Sequence, residues 1–182
     1  LDKPVIVKET GSGIAAEDAR KLEAAGVKGI DISGAGGTSF AAVEYYRAKG
    51  QENNVQRFLG DAFWDWGIPT VVSLAEATQT VKIPVIASGG VRSGVDIAKA
   101  LALGASLASL SQPVLRAAVK GAKETEGMLS FLVEELRNVM FLVGAEKVDH
   151  LVKAPVAVTG MTAEWLKARG FNVESYARRG AR

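Results

Sequence analysis

A short apolar run, two glycines and a helical stretch follow one another over residues 83–101. The apolar run, residues 83–87, is typical of a strand that is buried on both faces. Gly89 and Gly90 permit positive φ and a close approach between backbone and ligand. The stretch after Gly94 has apolar residues at helical spacing. This segment therefore predicts one βα unit, whose turn amides and helix N-terminus suit an anion, most often a phosphate.

Arg92 adds a permanent positive charge to the same turn. From this segment alone, two interpretations stay open. One is a phosphate site, and the other is a tight βα turn with a solvated arginine. The rest of the chain favours the phosphate site.

The pattern of strand and helix repeats along the chain. Four strands are predicted at residues 5–8, 29–33, 84–88 and 107–111, and helices at residues 15–25, 41–49 and 128–143. Gly26 and Gly144 are expected to end the first and last of these helices. The helix at 128–143 is predicted to have one apolar face, made of Phe131, Leu132, Leu136, Val139 and Met140.

Three further local signals lie between these elements. Ser73 and Glu76 fit a capping box that begins another helix. Pro113 is suited to the first turn of a helix after the last strand. Residues 51–67 are first polar and then aromatic, and we expect a long loop packed down by its aromatic side chains, the tryptophans serving packing rather than ligand contact.

Strands that alternate with helices predict a parallel sheet. A (β/α)8 TIM barrel needs ~250 residues for eight units, so 182 residues fit four units and an extension. An open doubly wound sheet is the alternative. The strands end in polar residues, which in a barrel converge on one mouth: Lys8, Ser33, Ser88 and Ser111. The expected fold class is therefore α/β, half of a barrel.

Composition narrows the classes of function. The net charge is +2, which is too small and too scattered to indicate nucleic-acid binding, and the chain has no cysteine for a disulfide, a thiolate nucleophile or a thiolate metal site. The apolar runs are far shorter than the ~20 residues that span a bilayer. With no visible signal peptide, an intracellular protein is expected. The chain enters a strand soon after Leu1, without an initiator methionine, which indicates part of a longer polypeptide.

Lys8 and a second glycine turn are the remaining candidates for chemistry. Lys8 is either a cation directed at a ligand that gains negative charge or a rim partner of Glu9. Residues 33–39 hold three glycines, together with hydroxyl side chains, and suit a planar or phosphorylated ligand rather than the dinucleotide fingerprint. Glu44 faces either the mouth or solvent, with solvent the default for a helical glutamate. His150, the single histidine, is expected to be structural or exposed, and no metal constellation or nucleophile–base pair is visible.

Taken together, five motifs resemble type 2 isopentenyl-diphosphate isomerase, a family of FMN-dependent (β/α)8 barrels that interconvert isopentenyl and dimethylallyl diphosphate. They are PVIVKE at 4–9, DISGAGGTS at 31–39, GIPT at 67–70, ASGGVRSG at 87–94 and AKALALGA at 98–105. Each motif is weak alone, but their order and combination are specific. The resemblance implies that residues 1–144 are the C-terminal half of the FMN-binding barrel. It implies that residues 145–182 are a C-terminal extension packed on the same domain.

The resemblance also assigns roles to individual residues. Lys8 matches the lysine near the flavin ring, and Ser33 and Thr38 match hydroxyl contacts to FMN. The matches to the two phosphate-binding turns are Gly90, Val91, Arg92, Ser111 and Gln112, although the family often differs at the last pair. Glu44 matches an acidic residue near the mouth and is the one possible catalytic residue. Phe40 stands where some members carry tryptophan.

Other parts of the family's machinery have no counterpart in this chain. The glutamine for proton chemistry, the Mg²⁺-binding glutamate and the main diphosphate-binding residues belong to the N-terminal half, so this segment alone is expected to be inactive. The resemblance further implies NADPH as flavin reductant, a cytoplasmic homo-oligomer (tetramer or octamer), and a small diphosphate substrate, with neither nucleic acid nor membrane as partner.

Two rival functions and one stability expectation remain. One rival is another FMN barrel, of the hydroxyacid-oxidase or dihydroorotate-dehydrogenase kind. Hydroxyacid oxidation usually needs a histidine base, and no histidine lies near a predicted strand end. The inosinate-dehydrogenase kind needs a catalytic cysteine, which this chain lacks. A non-catalytic phosphate-binding module is the other.

Half a barrel also leaves two sheet edges and inward apolar side chains uncovered, which predicts that residues 1–182 alone are not a stable monomer. The uncovered groups are expected among Val5, Val7, Ile30, Ile32, Val85 and Leu107.

Overall fold

A computed structural model describes residues 2–51 and 54–180. Within these residues the strands are β1 (Ile6–Lys8), β2 (Gly29–Asp31), β3 (Val85–Ala87) and β4 (Leu107–Ala108). The helices are α1 (Ala16–Ala24), α2 (Phe40–Gly50), α3 (Asn54–Ala62), α4 (Thr70–Thr80), α5 (Gly94–Ala102), α6 (Gln112–Ala118), α7 (Ala122–Leu142), α8 (Val148–Leu151), α9 (Gly160–Ala168) and α10 (Glu174–Ala177).

The four strands form one parallel sheet in the order β1-β2-β3-β4. Ile30 of β2 lies opposite Val7 on one side and Val85 on the other, and Ile86 lies opposite Leu107. All four strands were predicted at these positions and are confirmed. A doubly wound sheet reverses its strand order at a switch point, and this sheet does not. The sequential order is that of a barrel segment, so the half-barrel prediction holds and the doubly wound alternative fails.

The core lies between the sheet and the helices that follow its strands. Ile30, Ile32 and Val85 are buried there, so these three members of the set expected to contain the uncovered groups are covered. The helices α1, α4 and α5 cover them, because every central strand of a parallel sheet is flanked by crossover helices. Exposed apolar surface on the sheet instead belongs to its edge strands, where Ile6 is 57% and Leu107 is 61% exposed.

The aromatic segment predicted as a loop contains the helix α3. The prediction failed because Val55, Phe58 and Leu59 already stand at helical spacing, and the polar start of the segment obscured that period. The ring of Trp64, just after α3, packs edge-on against Tyr45 of α2 at 5.6 Å between centroids. The aromatic residues therefore hold the segment in place, as predicted, but the segment contains a helix and packs against α2. Glu52 and Asn53, which were part of that predicted loop, lie outside the described residues.

The predicted capping box at Ser73 and Glu76 is wrong. The helix α4 begins at Thr70, and Ser73 is fully buried inside it. The Ser73 hydroxyl accepts a hydrogen bond from the Ile14 amide and donates one to the Ile14 carbonyl, both at 2.8 Å. A capping pattern is a local signal, and here both side chains are used for contacts with residues about sixty positions earlier.

Glu76 is a fully buried carboxylate that is held by the C-terminal segment. Its Oε2 accepts a hydrogen bond from the Ala16 amide at 3.0 Å, and its Oε1 accepts one from Arg169 Nε at 3.2 Å. Arg169 Nη2 also donates to Glu17 Oε2 at 2.6 Å. Hydrogen bonds to Glu76 and then to Glu17 raise the pKa of Arg169, and the bond from Arg169 holds the pKa of the Glu17 carboxyl below its ordinary value. This cluster, Glu17–Glu76–Arg169, ties the segment after α9 to α1 and α4.

The C-terminal segment shares the core of the sheet. Leu166 of α9 and Tyr176 of α10 are buried in the same cluster as Ile30 and Val85.

The helix α7 begins at Ala122, earlier than predicted, and ends before Gly144 as predicted. A domain boundary at residue 144 stays a prediction.

The predicted apolar face of α7 is correct except at one position. Leu132 is buried, and Leu136, Val139 and Met140 pack against the small cluster that contains Leu151. Phe131 is 63% exposed, so it is wrongly placed on this face. No helix within residues 2–51 and 54–180 is long and apolar enough to cross a membrane.

Replacing Arg169 should destabilise the full-length protein strongly. In Arg169→Ala, the buried Glu76 carboxylate loses its cation, and we expect the free energy of unfolding to fall by about 3–5 kcal/mol. Lys167→Ala is the matched control, because Lys167 lies two positions before Arg169 and loses only an exposed ion pair with Glu174 of α10, which should cost much less. Chemical denaturation measures both, and equal small losses would contradict a stabilising role for the buried cluster.

Candidate functional site

A cavity of about 420 Å³ opens at the carboxyl ends of the four strands. Lys8 ends β1, and the other residues of the cavity wall lie in the turns that follow the strands and at the starts of α2 and α6. Every residue predicted to contact FMN lines this cavity: Lys8, Ser33, Thr38, Gly90, Val91, Arg92, Ser111 and Gln112. The structure therefore brings together residues that are up to about a hundred positions apart. Their contact with a flavin stays a prediction.

The two glycine turns of the cavity wall pack directly on each other. Gly89 and Gly90 both have positive φ, +99° and +80°. A Cβ atom on Gly89 would lie 2.1 Å from the Gly34 carbonyl oxygen, and one on Gly90 would lie 2.2 Å from that of Gly36. Any side chain at either position would force the turns apart. These glycines are therefore required by the contact between the turns, in addition to any ligand that approaches them.

Arg92 and Thr70 hold the same two turns together. The Arg92 guanidinium donates to the carbonyl oxygens of Gly90 and Gly36, each at 2.8 Å. The Thr70 hydroxyl donates to the Gly89 carbonyl at 2.6 Å. No carboxylate of the described residues forms an ion pair with Arg92. Its positive charge is therefore fixed at the cavity wall without being neutralised.

The N-terminus of α5 does not itself offer an anion site. The Ser93 hydroxyl accepts a hydrogen bond from the Asp96 amide at 3.1 Å, and Glu135 of α7 accepts one from the Gly94 amide at 2.7 Å. The expectation that this helix end receives the phosphate is thus incomplete, because a carboxylate from a distant helix already occupies it. Other donors for an anion therefore have to be sought in the turns of the cavity wall.

Free backbone donors are found in the turns themselves. Within residues 2–51 and 54–180, the amide groups of Gly90, Val91, Ser111 and Gln112 donate to no protein acceptor. All four residues line the cavity. Consecutive unpaired amides beside a fixed arginine form a concave site for an anion. The cavity wall is therefore suited to a phosphate between the turns after β3 and β4.

Lys8 extends from the end of β1 at the cavity rim, with its side chain 54% exposed. Its Nζ donates to the Glu9 carbonyl oxygen at 2.9 Å, and lies 3.7 Å from Asp31 Oδ2. The alternative of a Lys8–Glu9 ion pair is wrong. The Glu9 carboxylate instead accepts hydrogen bonds from the amides of Gly11 and Ser12, both at 2.5 Å, and shapes the turn after β1.

Asp31 is a functional candidate that the sequence reasoning missed. It ends β2 and is 7% exposed, just behind the cavity wall. Its Oδ1 accepts hydrogen bonds from the Ser33 amide at 3.3 Å and from the Ser88 hydroxyl. The sequence signal that could have identified Asp31 is an acidic residue inside an otherwise apolar strand, because a buried carboxylate needs several hydrogen-bonding partners.

Glu44 is not part of the cavity wall. It lies on the outer surface of α2, 2.6 Å from Arg47 Nη1, with its side chain 52% exposed. Glu44 therefore faces solvent within the described residues, and a role for it near the mouth stays a prediction. His150 lies on α8 and does not line the cavity either. The described part of the chain holds no group of three or more histidine, aspartate or glutamate side chains placed to bind a metal.

Comparison with known proteins gives relatives of two kinds. An isopentenyl-diphosphate delta-isomerase of Methanothermobacter thermautotrophicus is 54% identical over 179 residues, covering 98% of this chain and 50% of that protein. The Pyrococcus abyssi protein of the same name is 52% identical over 181 residues, covering 98% and 47%. Among solved structures, mandelate oxidase with benzoyl-formic acid is 32% identical with a TM-score of 0.59, covering 83% of this chain and 38% of that chain.

The chain spans about half the length of the curated relatives it matches. A mandelate oxidase variant with the monooxide FMN adduct is also similar, with 32% identity, a TM-score of 0.59, and coverage of 83% of this chain and 40% of that chain. The family model described as FMN-dependent dehydrogenase matches residues 1–158. That match includes all four strands and every turn of the cavity wall. The chain therefore belongs to the FMN-dependent dehydrogenase family.

Proposed function

We propose that this chain supplies much of the FMN site of an isopentenyl-diphosphate delta-isomerase that works in isoprenoid biosynthesis. The enzyme interconverts isopentenyl and dimethylallyl diphosphate with reduced FMN. One observation carries the proposal: the eight residues that correspond to FMN contacts in type 2 isomerases line a single cavity. The relatives at 54% and 52% identity, which carry this isomerase name, support the same substrate.

The residues of the cavity fit FMN. Arg92 and the free amides of Gly90 and Val91, with those of Ser111 and Gln112, would hold the phosphate. The hydroxyls of Ser33 and Thr38 would contact the flavin or its chain, and Lys8 would lie beside the ring. The mutual packing of the glycine turns keeps these groups fixed before the cofactor binds.

The reaction moves a proton between two carbons with no net change of oxidation state. When bound, reduced FMN supplies an acid–base group at the double bond of the substrate. The Lys8 ammonium is placed to favour negative charge on a group in the cavity, because a fixed charge at a partly dry site acts strongly. Arg92 and the turn amides bind and orient the phosphate end.

Within the described residues, the cavity wall carries no histidine, aspartate or glutamate side chain. Its titratable residues are Lys8 and Arg92, both cations. From the resemblance to type 2 isomerases, we propose that the proton-handling glutamine, the glutamate that binds Mg²⁺ and the diphosphate-binding residues belong to the N-terminal half of the protein. NADPH would reduce the flavin. We place the assembled enzyme in the cytoplasm as a homo-oligomer, a tetramer or octamer, with no membrane or nucleic acid as partner.

An FMN-dependent hydroxyacid oxidase is the second candidate, because mandelate oxidase is similar to this chain. Oxidation of a hydroxyacid needs a base to take the hydroxyl proton, usually histidine. The chain has one histidine, His150, and it lies on α8 outside the cavity wall. The higher identity to the isomerase relatives, 54% and 52% against 32% for mandelate oxidase, also favours the isomerase over the oxidase.

Assays of the full-length protein separate the candidates. Purified protein should show flavin absorbance, and with reduced FMN and Mg²⁺ it should convert isopentenyl diphosphate into dimethylallyl diphosphate. Turnover of a 2-hydroxy acid with no isomerisation would identify an oxidase instead. Phosphate-ligand binding without flavin and without turnover would identify a non-catalytic module, and would contradict the proposed function.

The N-terminal half of the same protein is the proposed partner of the exposed sheet edges. Ile6 on β1 and Leu107 on β4 are more than half exposed, and each edge strand lacks a neighbour on its outer side within the described residues. Residues 1–182 expressed alone should therefore associate or aggregate, and should not load flavin as a monomer. Analytical ultracentrifugation tests this, and a soluble monomer with a sharp cooperative melt would contradict it.

Removing the charge of Arg92 should weaken FMN binding. We expect Arg92→Ala in the full-length protein to lose about 1.5–3 kcal/mol of binding free energy, or roughly 10- to 150-fold in affinity, the range for a hydrogen bond to a charged group. Arg47→Ala is the matched control, because Arg47 pairs with Glu44 outside the cavity. Flavin titration of the apoprotein measures both, and an unchanged affinity in Arg92→Ala would argue against a phosphate at this turn.

Removing the charge of Lys8 should make the bound flavin harder to reduce. In Lys8→Met the positive charge that favours the anionic reduced form is lost, so the midpoint potential should become more negative. Lys21→Met serves as control, since Lys21 is an exposed partner of Asp18 on α1. Spectroelectrochemical titration gives the potential. A value equal to that of the wild type would contradict an effect of Lys8 on the flavin.

A further inference from the structure

We propose that Asp31 is a positioning residue that sets how much of the Lys8 charge acts on the flavin. The inference rests on the proposed FMN site and adds to it a residue that none of the predicted contacts includes. Asp31 does not line the cavity. It acts through Lys8, Ser33 and Ser88, which do.

Three parts of the cavity wall meet at this one carboxylate. Asp31 Oδ2 lies 3.7 Å from Lys8 Nζ at the end of β1, while Oδ1 accepts from the Ser33 amide and from the Ser88 hydroxyl. Ser33 follows β2 and Ser88 follows β3. A carboxylate whose side chain is 9% exposed needs such partners to offset its lost contact with water. Asp31 therefore joins the ends of three neighbouring strands behind the cavity.

The same carboxylate fixes the backbone of the turn after β2. Ser33 has a φ of +33°, which lies in the left-handed region that residues other than glycine seldom adopt. The hydrogen bond from the Ser33 amide to Asp31 helps to hold this conformation. The position of the Ser33 hydroxyl in the cavity thus depends on Asp31.

The charge of Asp31 opposes that of Lys8 from the protein side. Opposite charges about 4 Å apart cancel in part at any third point, and they are screened less where one of them is buried. Lys8 is the member of the pair that lines the cavity, so the net field there remains positive but weaker than that of an unpaired lysine. The pair should therefore keep the flavin potential below the value that Lys8 alone would produce.

Asp31→Asn is the variant that tests this in the full-length protein. Asparagine keeps the size of the side chain and an oxygen that can accept from Ser33 and Ser88, but it removes the charge. We expect the midpoint potential of the bound flavin to shift to more positive values, opposite to Lys8→Met, with the double variant lying between the two single variants. Asp18→Asn is the matched control, because it removes one carboxylate charge outside the cavity wall, where Asp18 pairs with the exposed Lys21, and it should leave the potential near the wild-type value.

The direction of the shift decides the outcome. An Asp31→Asn potential that is unchanged, or that falls as in Lys8→Met, would overturn the inference, since a purely structural residue would not raise the potential. A double-mutant cycle of the same substitutions, measured by denaturation of the apoprotein, supplies a readout without flavin. A wild-type protein that binds no flavin would overturn the proposed function and this role together, whereas coupling in the apoprotein with no potential shift would overturn the role alone.

Discussion

The close contact between the glycine turns after β2 and β3 is the constraint on which the cavity depends. With no Cβ at Gly89 and Gly90, the backbone of one turn rests on the carbonyl oxygens of the other. Arg92 and Thr70 then fasten this contact through hydrogen bonds to backbone oxygens. Because the turns brace each other, their free amides stay in place without a ligand. The site is thus rigid before any cofactor binds, which reduces the ordering cost of binding.

Two buried carboxylates hold different parts of the fold together. Glu76 lies among α1, α4 and the segment after α9, where Arg169 satisfies it. Asp31 lies at the carboxyl ends of the strands, where Lys8 and two serines satisfy it. The first carboxylate is neutralised by a guanidinium in direct hydrogen-bond contact and has a stabilising role. The second is paired more loosely with a half-exposed ammonium, which leaves part of the lysine charge for a ligand.

The cavity wall is rich in groups that bind and poor in groups that transfer protons. Its cations, hydroxyls and free amides suit a flavin phosphate, while the single histidine and Glu44 lie elsewhere. In a barrel the mouth is built from the turns of all its units, so binding and proton transfer can be divided between the two halves of one sheet. The exposed edge strands β1 and β4 are consistent with such a division.

The sequence by itself determined the strands, their parallel order and the residues of the mouth. Apolar runs ending in Lys8, Ser33, Ser88 and Ser111 are local patterns, and parallel strands bring their carboxyl ends together whatever the rest of the chain does. Only the tertiary structure decided the roles of Ser73, Glu76 and Asp31. Each of them has a partner 57 to 93 positions away along the chain, and no local period or cap encodes which distant amide, hydroxyl or guanidinium will satisfy a buried polar group.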